Sequence, residues 1–355
     1  NTAIRRVQVV GTTLTGLGVG TPITLTVATI ATLSDVNFRD ITAAGASGTW
    51  SGTRLGNAGG NSNITFAAGV SKYWNLAAGG GWTATAWALT SGGAVDVNNF
   101  PLAQDTAIIE NTGLTAGNTI TVNENWFIGT LDASTRTTAF TLASTTSIPT
   151  IYGNYTIPSV ATTTGTGSWY FQGIGVTQNI TTNGVSVTFP INCNGSTANV
   201  VRLVGNLTTT ASATLQQGTL NLNNNVLSST TFSATGTGVR TLAFGTGNMT
   251  ITGVSATIFD TTTVTNMTIT GTPVVNCTGT TGTSVQTRTF IVGNHGEAQS
   301  ISVNINPGTS AVDIFRLATT SGAFKNVTFS STFTGTLQIA NSINYLCCYF
   351  WHTKY

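Results

Sequence analysis

Between Thr141 and Phe259 the chain carries no Asp or Glu, and Arg202 and Arg240 are its only charges. A stretch this long without carboxylates cannot present the salt-bridged polar face of an ordinary surface helix. Its short segments instead alternate apolar and polar side chains, with turn residues between them: "SVTFPINCNG", "TLQQGTLNLNNN", "RTLAFGTGNMTITG" and "VTNMTITGTPVVNCTG". Alternation with a period of two is the signature of strands that bury one face.

The segments echo one another. "NMTITG" occurs at Asn248 and again at Asn266, and "NCNG" at Asn192 is echoed by "NCTG" at Asn276. Self-similarity at short period points to stacked coils, because one small coil cannot bury its own apolar side whereas a stack can. Asn-rich turns such as "LNLNNN" fit this reading, since Asn tolerates left-handed backbone and can bond its counterpart one coil away. The two "NMTITG" copies are therefore expected on equivalent strands, with Met249 matching Met267 and Ile251 matching Ile269.

Composition carries the same reading to the whole chain. Charged residues are 6% of the 355, threonine is roughly a fifth, and apolar residues are 40%, too many for a disordered tract. Thr, Val and Ile favour strands, and Glu, Lys and Gln, the helix formers, are scarce. The expected fold is all-β: a parallel β-helix or β-solenoid, glycine- and threonine-rich, with a small interrupting β module. Expected divisions are β-rich rungs over 1–70, an aromatic plug and small β module over 71–140, the shaft over 141–340 and an unplaced tail over 341–355. "KNVTF" at Lys325 and "SDVNF" at Ser34 both read as rungs.

A net charge of +2 offers no basic stripe for phosphates, so no nucleic-acid partner is expected. No apolar run approaches the ~18 residues of a membrane helix, so no insertion by helices is expected. The start, "NTAIRRVQVV", has neither an initiator Met nor a signal peptide and suggests a piece of a longer protein. So weakly charged a surface promotes association, which suits a chain that lives among copies of itself.

Candidate chemistry is sparse. A sugar-cleaving site needs paired carboxylates about 5–9.5 Å apart. The only candidate pairs are Asp35 with Asp40 and Glu110 with Glu124, which read more simply as turn or edge charges. His295 beside Glu297, and His352 in the tail, with the scattered thiols Cys193, Cys277, Cys347 and Cys348, do not make a zinc site. No catalytic residue, cofactor or metal is expected. Cys193 and Cys277 read as buried small hydrophobes in equivalent rungs.

The segment "YWNLAAGGGWTATAWALTSGGA" gathers Trp74, Trp82 and Trp87. With Trp50 these rings are candidates for a glycan platform. The alternative, which is the favoured one, is a plug that closes an open solenoid end.

That segment with "NNFPLAQDTAIIENTGL", "ITTNGVSVTFPI", "LQQGTLNLNNN" and "RTLAFGTGNMTITG" resembles large structural proteins of marine and freshwater tailed bacteriophages, of the tail-fibre or appendage type. The resemblance runs from about Asp35 to about Cys277; its Tyr73–Leu114 block is the specific part, and the threonine-rich rungs are permissive. It implies a virion structural protein with a parallel β-helix-like shaft, commonly a homotrimer. Other virion proteins, and host surface glycan, would be its partners in attachment. It brings no catalytic motif. A secreted or cell-surface bacterial adhesin, and less so a polysaccharide-degrading tailspike, are the alternatives.

Overall fold

The structure, a computed structural model, describes residues 4–11, 19–30, 32–45, 48–254, 256–279, 287–306, 314–320, 324–330, 333, 336–340 and 348–350. It is a β-solenoid of about 12 turns. Most coils lay one short strand on each of three faces, and each strand pairs in parallel with its counterparts above and below.

The first face runs from Ser71–Trp74 through Thr106–Ile108, Thr130–Asp132 and Thr177–Thr181 to Met267–Thr270. The second runs from Gly80–Gly81 through Thr119–Val122, Ala161–Gly165 and Asn248–Ile251 to Cys348–Phe350. The third runs from Phe127–Ile128 through Trp169–Phe171 and Ala256–Thr261 to Thr336–Ala340. One strand, Ala213–Asn221, serves two faces, pairing with Ile191–Asn194 at its start and Val200–Leu203 at its end. Gly218 lies on the way round this corner with φ +83°, a left-handed backbone that glycine adopts without steric cost.

Parallel in-register stacking places like side chains above one another at ~4.8 Å, a spacing that suits aromatic rings. On the third face Trp169, Ile191, Ala213, Phe232, Phe259 and Phe290 follow one another inward, rung by rung. The rings of Phe259 and Phe290 stack at 4.3 Å with their planes 5° apart, and Phe232 continues the column at 5.4 Å from Phe259. One contiguous core runs from Trp74 to Phe329.

The second face has one gap in its backbone ladder, between Ala161–Gly165 and Ser186–Val187. Thr163, buried, spans it: its hydroxyl donates to the Ser186 carbonyl at 3.3 Å and accepts the Thr188 N–H at 3.0 Å. Further along, Asn276 Nδ2 donates to Asn248 Oδ1 at 3.2 Å, and Asn304 Nδ2 to Asn276 Oδ1 at 2.8 Å. Asparagine bonds asparagine here on a strand face, while the turn residues Asn223 and Asn224, both left-handed, bond the Leu203 carbonyl and the Thr246 N–H of neighbouring coils at 3.0 and 2.9 Å.

The repeat expectation needs correction. The first "NMTITG" contributes Asn248–Ile251 to the second face, and the second contributes Met267–Thr270 to the first. Both Met and both Ile are buried, so the alternation holds, but the copies are not equivalent rungs. The true coils are longer: Leu227 pairs with Met249 and Met249 with Val275, 22 and 26 residues on. Likewise Cys193 lies on the third face and Cys277 on the second. Both thiols are buried, and burial pushes each up to about 12.

Residues 36–66 have a small core of their own around Phe38, Ile41 and Trp50. Val7–Val10, Val36–Arg39 and Gly56–Asn57 form one short parallel sheet, and Ile23–Thr26 with Ile41–Ala44 another. "SDVNF" thus belongs to these N-terminal coils, whereas "KNVTF" is a second-face rung. The stretch 71–140, expected to hold an aromatic plug and a small β module, carries rungs of all three faces (Thr106–Ile108, Thr119–Val122 and Phe127–Ile128) together with the antiparallel pair Ser71–Trp74 with Trp87–Ala88 and the 3-10 turn Val97–Asn99. Its end at 140 is not a break, because all three faces pair across it: Thr119 with Thr141, Phe127 with Thr150 and Leu131 with Tyr155.

Past Met267–Thr270 the first face gives way to the 3-10 turn Glu297–Gln299, where Gln299 Oε1 accepts the Ile269 N–H at 2.6 Å. The later described strands belong to the other two faces. Of the tail, Cys348–Phe350 pairs with Val327–Phe329; Cys347 and His352 lie outside the described residues, as does the side chain of Cys348.

Candidate functional site

The N-terminal coils dock on the early rungs of the third face and the neighbouring corner. Gln8 Nε2 donates to the Asn125 carbonyl at 2.8 Å, and Gln217 Nε2 to the Val19 carbonyl at 2.8 Å. Gln104 clasps the third coil, accepting the Asn57 N–H at 2.8 Å and donating to the Leu55 carbonyl at 3.1 Å. Beneath these bonds Ala58, Ala103, Phe127 and Tyr152 form an apolar seam with Val10. Arg39 reaches across it, donating to Gln172 Oε1 and, at 3.4 Å, to the Tyr152 hydroxyl.

At one edge of the seam lies an open cleft of about 660 Å³, lined by Arg5, Gln8, Asn123, Glu124, Asn125 and Thr146 among others. Arg5 and Glu124 approach to 3.7 Å across it. Amide, hydroxyl and guanidinium donors alternate with acceptors, a lining that can hold a hydroxyl-rich ligand by hydrogen bonds. Among its described lining residues Glu124 is the one carboxylate, and a two-carboxylate hydrolysis needs a pair.

The candidate carboxylates do not converge. Asp35 and Asp40 stand at opposite ends of the strand Val36–Arg39, roughly 16 Å apart along an extended chain. Both have left-handed backbone, with φ 56° and 58°. Each is buried and engaged. Arg54 grips both oxygens of Asp35 at 2.7 Å, and Arg6 adds a bond at 3.3 Å. Asp40 Oδ2 accepts the Gly20 N–H at 3.0 Å and lies 3.5 Å from Arg39 Nε. Glu124 is in the cleft, at the corner between the second and third faces, whereas Glu110 stands at the corner between the first and second, its backbone carbonyl held by Arg136.

His295 Nε2 lies 2.9 Å from the Thr261 carbonyl, and burial lowers its pKa. The Glu297 side chain is outside the described residues. Among the described residues no group of three or more His, Cys, Asp or Glu gathers as a metal site would require.

The four tryptophans are all buried, at 1–3% exposure. Trp87 is edge-on to both Trp74 and Trp82, at 5.3 and 4.8 Å, and its Nε1 donates to the Trp82 carbonyl at 3.1 Å. This cluster sits in the first coils of the main solenoid. Trp50 is elsewhere, against Phe38 at 6.1 Å in the N-terminal core. None of these four rings is left open to lie under a sugar.

Several buried polar groups that hold the fold were not singled out in the sequence. Arg136, Arg240 and Arg288 are buried among backbone carbonyls at the corners of the coils. A signal existed: Arg240 shares the parity of Leu242 and Phe244, and Arg288 that of Phe290, so alternation alone turns both inward. Gln178, fully buried, accepts the Gly173 N–H and donates to the Ile151 and Gly153 carbonyls, bonding three chain segments at one corner.

Burial raises the pKa of Asp40. Its folded pKa lies above the unfolded one, so the folded state holds the proton more tightly and stability rises as pH falls through the folded value. Lowering the pH from 7 towards ~4, the ordinary Asp value that the folded state exceeds, is therefore expected to slow amide exchange over residues 36–44 once the intrinsic rate is corrected. Asp40→Asn, which keeps an acceptor for Gly20, should flatten the response. Faster corrected exchange at the lower pH in the wild type would contradict this assignment.

No known protein family matches the chain, and neither a solved structure nor a curated protein does.

Proposed function

We propose that the chain is a non-enzymatic structural protein of a virion, the shaft of a phage tail fibre or appendage that takes part in host attachment. The observation that carries this reading is the combination of one unbroken core along the solenoid with outward faces made of Thr, Ser and Asn and few charges. Such a body is stiff along its axis, because each rung is bonded to its neighbours by parallel strands. Its weakly charged flanks suit side-by-side packing of identical chains under closed symmetry, here a homotrimer. The polar cleft beside Gln8 and Glu124 offers a place where a host glycan is held rather than cut.

Antibodies raised against the chain test this directly on purified virions by electron microscopy. The expected result is label on a tail or capsid appendage, and no release of reducing ends when the purified chain is incubated with host polysaccharide. Label confined to the bacterial surface, or sugar release lost on Asp35→Ala, Asp40→Ala, Glu110→Ala or Glu124→Ala, would overturn the reading.

A further inference from the structure

The three flanks of the solenoid are not alike. The first carries Asp132 and Arg202 among its outward residues, and the third carries Asp260 and Arg316 and is partly covered by the N-terminal coils. On the second face, the four strands from Gly80–Gly81 to Ala161–Gly165 contain no charged residue. Nor do the six that follow, from Ser186–Val187 to Ile301–Ile305. The first charge on this face is Lys325, at an irregularity in the pairing between Ile301–Ile305 and Phe324–Phe329.

Down the middle of this face runs one outward column: Ser186, Thr208, Ser228, Thr250, Asn276 and Asn304. None of these side chains is buried in the isolated chain. Two of its amides are already fixed by the ladder bonds from Asn248 to Asn304, so ordering them against a partner costs little rotamer entropy.

From this face we infer that the second flank is the surface through which copies of the chain pack, lining the symmetry axis of the assembly. The inference rests on the shaft reading above. Ten rungs at ~4.8 Å and strands of two to five residues make a wall of roughly 600 Å², the same order as the ~800 Å² each partner contributes to a stable interface. Charged residues are depleted at the centre of such interfaces. A flat sheet with no Lys or Glu over this length lacks the usual defence against sticking, so its occupant is itself uncharged and equally flat. In a closed ring of three, each copy turns this face to the axis and shares it between its two neighbours, so the same face of the other copies meets both requirements.

The test compares two triple variants by mass photometry: Thr141→Lys, Ser228→Lys and Thr250→Lys on the second face, and Thr219→Lys, Thr241→Lys and Thr268→Lys on the first. The wild type and the first-face variant are expected to stay trimeric, and the second-face variant to drop threefold in mass. Because three lysines can harm folding, single cysteines supply a milder readout. Thr250→Cys should give an intermolecular disulfide on oxidation, and Thr268→Cys should not add one. A trimer that survives the second-face lysines, or that dissociates equally with the first-face set, overturns this assignment and leaves the shaft reading standing. A monomeric wild type overturns both.

Discussion

Phe259→Ala is expected to cost about 3–5 kcal/mol of stability, the range for removing a large buried aromatic. The ring is fully buried, stacked at 4.3 Å on Phe290 and 5.4 Å from Phe232. Neither neighbour can close the gap, because each is pinned to its own rung by the parallel pairing that sets the column. The loss should be local. Stability in a stacked-coil protein is a sum of coil and interface terms, so weakening one interface separates the coils on either side. Urea unfolding followed by amide exchange should show Thr287–Gly293 opening before Thr177–Thr181 in the variant, whereas the wild type is expected to protect the two together. Phe259→Leu, which keeps most of the volume, should cost less than half as much. A change below about 1 kcal/mol for the alanine variant would mean that the aromatic column does not hold the coils together.

The second large effect is expected at Arg240. Its buried guanidinium donates to the carbonyls of Ala234, Gly238 and Thr265 at 3.1, 2.8 and 3.1 Å, and also to Thr263. These carbonyls come from two successive corners of the coil, so one side chain ties them together. Burial lowers its pKa, which shows that desolvation works against the charge even as the fork of donors is used. Arg240→Met fills much of the volume but leaves the buried Ala234 carbonyl and three part-buried bonds without this donor, at about 1–3 kcal/mol for each acceptor that water does not reach. A total loss of about 3 kcal/mol or more is expected, measured as a shift in the denaturant midpoint at unchanged slope. Arg240→Lys should recover part of it, since an ammonium cannot span all four acceptors. Arg202→Met is the control. Arg202 is half-buried and bonds Asn179 Oδ1 at 2.9 Å, so its loss should stay within about 1 kcal/mol. Equal losses at the two positions would show that the corner carbonyls find other donors.

The glycines and the alternation of side chains were enough to make this chain a stack of strands. Along the main solenoid, where apolar side chains alternate with Thr or Asn as in "RTLAFG", the apolar parity is the buried one and even Arg240 obeys it, whereas Ile23 and Leu25 of the N-terminal "ITLT" stay exposed. The position of each strand in the stack was a different matter. The twin "NMTITG" segments meet the same local demand, one side in and one side out, on any flank of the solenoid. Which flank a strand joins depends on the lengths of the turns before it, and coils of 22 and 26 residues put the twins on different sides. The docking of the N-terminal coils was equally hidden. It depends on pairs such as Arg39 with Gln172 and Gln217 with Val19, far apart in the chain and each polar residue unremarkable in its own neighbourhood. Local pattern decides what a segment becomes because its energy is set within a few residues. Its place is decided by burial shared with segments a hundred residues away, and only the tertiary structure brings those together.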